Sequence, residues 1–177
     1  RRYADRRKRP LWLMETGNYL SNTEPASYAE AMIWARKIHH ALVDGNCEVV
    51  CYWALYFDKP GEALIYAAES DVKQWQVTAE FHVSMHWYRH VRPGMRRCEV
   101  SSPAPDLLVT AFKGGGRRVL VAVNRGDDRL ELAQPFAGAT PAVYQTTATG
   151  LWTALPATER MALPPTSVTS FVLADAP

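Results

Sequence analysis

The chain's 177 residues are 47% hydrophobic, enough to fill one medium core or two small ones, and carry a formal net charge of only +2. No apolar run approaches the length of a membrane span, and no apolar stretch follows the basic start as a signal peptide would require, so no membrane partner is expected. The cluster Arg1, Arg2, Arg6, Arg7, Lys8 and Arg9 reads as the solvated end of a helix stopped by Pro10 rather than as a nucleic-acid arm.

In chain order, Leu11-Trp12-Leu13-Met14-Glu15 is a short apolar run ending in a carboxylate and running into a loop with Gly17, Asn18 and Pro25, the pattern of a buried strand. Ser27 and Glu30 form a capping box ahead of Ala31, Trp34, Ala35, Ile38 and Leu42 at helical spacing, with Asp44-Gly45 as the stop. The run over 48–57 is apolar on both sides of its alternation and predicts one strand buried on both faces, as in a parallel sheet. A loop follows over 58–73, then a helix over 74–90 with Val77, Phe81, Met85 and Tyr88 on its apolar face, closed by Pro93-Gly94.

Beyond residue 95 the pattern changes to short runs separated by turn residues. Strands are clearest over 107–112, 118–123, 142–147 and 168–173, with breaks at Gly114-Gly115-Gly116, Gly126-Asp127-Asp128 and Pro164-Pro165. The expectation is an α/β part over 1–92 followed by an antiparallel β-sandwich over 93–177. Two β/α units cannot close a parallel barrel, which takes eight units and about 250 residues.

Cys47 and Cys51, if on one strand, would lie about 13 Å apart, beyond the roughly 7 Å that a disulfide allows. With Cys98 they read as buried or free thiols. His82 and His86 share a helix face near Glu80, but no third ligand is indicated and no metal site is expected. These two, and His39-His40, read as exposed or capping histidines.

A carboxylate at the C-terminal end of a parallel barrel strand stands where barrel enzymes place catalytic groups, and Glu15 has that position. Tyr52, Trp53, Tyr56 and Phe57 close the next strand. Aromatic platforms beside a carboxylate suit the C–H faces of sugar rings, and the same rings also suit a barrel core.

The strand ending in Glu15 is similar to the nucleophile strand of glycoside hydrolase family 30, a group of xylanases, glucosylceramidases and β-1,6-glucanases. The stretch Ile38-His39-His40-Ala41-Leu42, then Gly45 and Cys51-Tyr52-Trp53, resembles that family's seventh helix and eighth strand. Arg89-His90-Val91-Arg92-Pro93-Gly94 resembles its junction between the last helix and the side sandwich. The resemblance implies the last two β/α units of a (β/α)8 barrel plus the side β-sandwich, with Glu15 as nucleophile and Trp53, Tyr19 and Tyr56 lining the substrate site. It implies a secreted retaining hydrolase of a β-linked plant polysaccharide, foremost β-1,4-xylan, with no cofactor, and with β-glucosyl or β-galactosyl linkages as alternatives within the family.

The family's acid/base glutamate belongs to the fourth strand and has no counterpart here. Glu24, Asp58, Glu62 and Glu69 are the local carboxylates after the two strands. Gly17 stands where the xylanase branch has a tyrosine, and Tyr56-Phe57 where glucuronate-directed enzymes have an arginine, so the resemblance does not extend to reading a glucuronic acid branch. A partner role is the competing expectation: a non-catalytic carbohydrate-binding module, or a fragment that self-associates or joins a second chain to complete the barrel.

Overall fold

The computed structural model describes residues 9–17, 27–67, 71, 73–102, 104–136 and 138–174. The chain divides into two compact units, Arg1–Phe81 and His82–Pro177. The first is α/β and the second is built of antiparallel strands, the mixed class that the sequence implies.

In the first unit, β1 (Trp12–Thr16) and β2 (Val49–Tyr52) pair in parallel, and α1 (Tyr28–Val43) supplies the crossover that parallel pairing needs. Helix α1 starts as predicted. The Ser27 hydroxyl accepts from the Glu30 N–H at 3.3 Å, and the Glu30 carboxylate accepts from the Ser27 N–H at 2.5 Å. Ala31, Trp34, Ala35 and Ile38 are fully buried, and His39, expected at the surface, is buried with them. The helix stop has a different physical basis from the one expected. A Cβ on Gly45 would meet the Ala41 carbonyl oxygen at 2.7 Å, so glycine is needed there for close approach, while the left-handed residue is Asn46 at φ 53°.

The single strand expected over 48–57 is broken. β2 ends at Tyr52, and β3 (Tyr56–Phe57) joins a separate sheet in the order β3-β4-β5 with β4 (Ile65–Ala67) and β5 (Trp75–Val77). The residues of β2 are half-buried rather than enclosed on both faces. Tyr52 meets the buried Trp34 of α1 edge-on at 4.9 Å, whereas Trp12 and Met14 of β1 are each 57% exposed.

The predicted loop over 58–73 contains a 3₁₀ turn (Pro60–Glu62) and β4. The predicted helix begins later, as α2 (Ala79–Tyr88). Thr78 sets its start: the backbone N–H and the hydroxyl both donate to the Leu64 carbonyl at 3.0 Å, and the hydroxyl accepts from the Phe81 N–H at 3.4 Å. Val77 therefore lies on a strand. The buried positions of α2 are Glu80, Val83, Ser84, His86 and Trp87, not the predicted stripe, and Tyr88 is exposed. The apolar-stripe reading failed because three of these five buried side chains are polar.

Among its described residues the second unit holds eight strands: β6 (Arg96–Cys98), β7 (Leu107–Gly114), β8 (Arg117–Asn124), β9 (Leu130–Ala133), β10 (Ala142–Thr146), β11 (Thr153–Leu155), β12 (Arg160–Leu163) and β13 (Ser167–Ala174). Six form one antiparallel sheet in the order β11-β10-β13-β8-β7-β6, and β9 pairs with β12 in a second. Leu107, Val109 and Ala122 of the large sheet pack against Leu163, Leu130 and Leu132 of the small one, and Val143 and Phe171 pack with Met161, so the two sheets form a sandwich. The β7–β8 turn is Gly115-Gly116, with φ of 58° and 71°, the doubly left-handed geometry that two-residue hairpins favour.

His86 is fully buried, contrary to the exposed histidine expected. Its Nδ1 lies 3.0 Å from Ser170 Oγ and its Nε2 2.9 Å from Thr146 Oγ1, so both ring nitrogens are satisfied by hydroxyls that can donate or accept. Beside it, His90, Tyr144 and Trp152 stack within 5.7 Å of one another. The three cysteines are free and half-buried, and Cys47 precedes β2.

Candidate functional site

Glu15 lies on β1 one residue from its C-terminal end and is exposed. Its orientation follows from the strand register. Leu13 pairs with Val50 and Thr16 with Tyr52, so three steps along β1 match two along β2, and β1 carries one extra residue between them. In a regular strand Glu15 would share the face of Leu13. The bulge instead puts Leu13 and Thr16, both half-buried, on the face that Tyr52 turns to α1. Met14 and Glu15, both exposed, fall together on the open face. The strand continues into the buried Gly17, whose carbonyl accepts from Lys37 Nζ of α1 at 2.7 Å.

Trp53 follows β2 directly, and its N–H donates to the Thr16 carbonyl at 2.8 Å. Trp53 lies just beyond the strand and is 43% exposed. The Trp53–Ala54 peptide is cis. Phe57 meets Trp53 edge-on at 6.4 Å, and Tyr56, 51% exposed, belongs to β3. The structure thus brings the backbones of Glu15 and Trp53 to neighbouring strand ends and leaves both side chains accessible. Tyr19, Glu24 and Glu69 lie outside the described residues.

Of the local carboxylates, Asp58 is exposed, and Glu62 is half-buried and faces Lys59 Nζ at 3.8 Å. Nothing in the sequence marks the pairing of Glu80, which is fully buried and accepts a hydrogen bond from the Tyr52 hydroxyl. Among the described residues, no three His, Cys, Asp or Glu side chains gather as a metal set. A cavity of about 450 Å³ in the second unit is lined by Ala133, Gln134, Gly138, Thr140, Thr158 and Glu159 among others and includes none of the predicted site residues. The Gln134 amide within it donates to the Phe136 and Ala139 carbonyls.

No family model matches the chain. Over 122 residues it is 27% identical to the glucuronoxylanase XynC of Bacillus subtilis, a stretch covering 66% of this chain and 26% of that protein. A family 30 endoxylanase from Clostridium papyrosolvens C71 has the same fold, with a TM-score of 0.78 at 21% identity over 99% of this chain and 45% of that one. A conserved exported protein from Bacteroides fragilis matches with a TM-score of 0.78 at 20% identity, over 93% of this chain and 39% of that one. The chain therefore spans about a quarter of its curated relative and less than half of these solved chains.

Proposed function

This chain is related to the glycoside hydrolases of family 30, and from that relation we propose that it carries the nucleophile strand of a retaining hydrolase acting on a β-linked plant polysaccharide, foremost β-1,4-xylan. The observation that carries the reading is the bulge in β1, which turns Glu15 to the open face where Trp53 begins. The relatives support the substrate class, since both the curated protein and the endoxylanase are named for xylan.

In this mechanism the Glu15 carboxylate attacks the anomeric carbon, and the C–O bond to the leaving sugar breaks as a second carboxyl protonates it. Water then releases the glycosyl group from Glu15. A retaining pair stands about 5–5.5 Å apart. The acid is supplied by further strands that complete a barrel around the open face, from the same polypeptide or from another chain. Trp53 and Tyr56 offer ring faces to the sugars, and Tyr19, four positions after Glu15, is the third candidate. Secretion fits the exported neighbour. A purely partner-completing role is the second reading, favoured by the 57% exposure of Trp12 and Met14 on the face that further strands would cover.

Replacing Glu15 with Gln keeps the shape and removes the nucleophile, so turnover of an activated aryl xyloside, which needs little acid help, should fall by about three powers of ten or more while oligosaccharide binding survives. A 2-fluoro xyloside should label the peptide containing Glu15, as read by mass spectrometry. Hydrolysis by Glu15→Gln at the parent rate would refute the nucleophile assignment. Activity in neither protein, with xylo-oligosaccharide binding retained, would favour the partner-completing reading.

A further inference from the structure

Trp53 is bracketed by hydrogen bonds that close through the start of α2. On one side, the Tyr52 hydroxyl donates to Glu80 Oε2. On the other, the Ala54 N–H donates to the Glu62 carbonyl at 2.7 Å and the Ala54 carbonyl accepts from the Leu64 N–H at 2.9 Å. The Leu64 carbonyl takes both the N–H and the hydroxyl of Thr78 at 3.0 Å, and that hydroxyl caps the turn of α2 that carries Glu80. Tyr52 also packs edge-on against Trp34, so its ring has a fixed wall on the α1 side.

A fully buried carboxyl is expensive unless it is hydrogen-bonded, and an apolar pair would fill the same space without that penalty. What a hydroxyl–carboxyl pair adds over apolar packing is direction. We infer that Glu80 is a positioning residue: through Tyr52 it fixes the end of β2 so that Trp53 presents its ring at the strand end beside Glu15. This rests on the reading of Glu15 and Trp53 given above. The Trp53 N–H bond to the Thr16 carbonyl completes the frame, because the residue after Glu15 and the platform residue then share one backbone bond.

The test uses three broken variants, Tyr52→Phe, Glu80→Leu and Trp53→Ala, and one conservative variant, Glu80→Gln, whose side-chain oxygen can still accept from Tyr52. Binding of xylohexaose is measured by calorimetry, with a thermal melt for each protein. Tyr52→Phe and Glu80→Leu should weaken binding about five- to thirty-fold, the effect of losing one directional bond, at a temperature where each is fully folded. Glu80→Gln should stay within about threefold of the parent. Lower melting with unchanged affinity in Tyr52→Phe and Glu80→Leu would overturn the inference and leave the pair a structural one. Should Glu80→Leu fail to fold, Tyr52→Phe decides alone. If Trp53→Ala binds as well as the parent, the platform reading falls, and this inference with it. If Trp53→Ala weakens binding while Tyr52→Phe and Glu80→Leu do not, only the positioning role is lost.

Discussion

His86 shows how a single buried base sets the chemistry of stability. Burial, with His90 and His82 as further like charges, pushes its pKa down to about 3, and burial with Arg89, Arg117 and Arg92 nearby pushes His90 down to about 4. Both rings are therefore neutral in the folded chain at mildly acid pH, while the unfolded chain takes up protons below about 6.5. Because the unfolded state binds more protons in that window, stability is fully present above pH 6.5 and is lost as pH falls toward the folded values. Each pH unit below 6.5 should remove on the order of 1 kcal/mol through the fully buried His86. Melting temperatures measured from pH 7 to pH 4.5 should fall more steeply for the parent than for His86→Gln, which keeps polar atoms for Ser170 and Thr146 but does not titrate. Equal slopes would show that His86 protonation does not govern the acid limit.

At the level of elements, what was legible depended on whether the signal was local. The Ser27–Glu30 box is complete within four positions and marks the start of α1 correctly, and Ser27→Ala should lower stability by about 1 kcal/mol in a denaturant titration of the first unit. Four of the eight described sandwich strands were found because they are runs of five or more residues, largely apolar and bounded by turn residues. β6, β9, β11 and β12 are only three or four residues long, too short for a period to register. The start of α2 was misplaced because Trp75-Gln76-Val77 fits a helix face as well as a strand, and the deciding bond runs from Thr78 to the distant Leu64. The candidate site was legible in position only. Glu15 and Trp53 could be named from the strand ends, but the bulge that re-aims Glu15 is a property of its pairing with β2 and leaves no mark in one strand's sequence. Glu80 escaped for the opposite reason, since its burial contradicts its polarity.

For the whole molecule, exposed apolar surface is unevenly shared. Among the described residues, eight of the eleven exposed large hydrophobic side chains, including Trp12, Met14, Leu55 and Trp75, belong to the first unit. Together with a parallel pair whose open face carries Trp12 and Met14, this predicts that the 177-residue chain studied alone associates with itself or with added barrel strands. Light scattering over a dilution series should show a mass above that of the 19.9 kDa chain. A cooperative monomer persisting to millimolar concentration would oppose it. The extra residue in β1 bears on how natural variation of such a chain is to be read. Exchanging Met14 for another side chain leaves the count between Leu13 and Thr16 intact, and losing Met14 would restore one-to-one pairing with β2, with Glu15 opposite Cys51 and still on the open face. At this strand the extra residue can be lost without turning the acid, so a homologue one residue shorter between these two positions presents its carboxylate on the same side as one that differs there only by substitution.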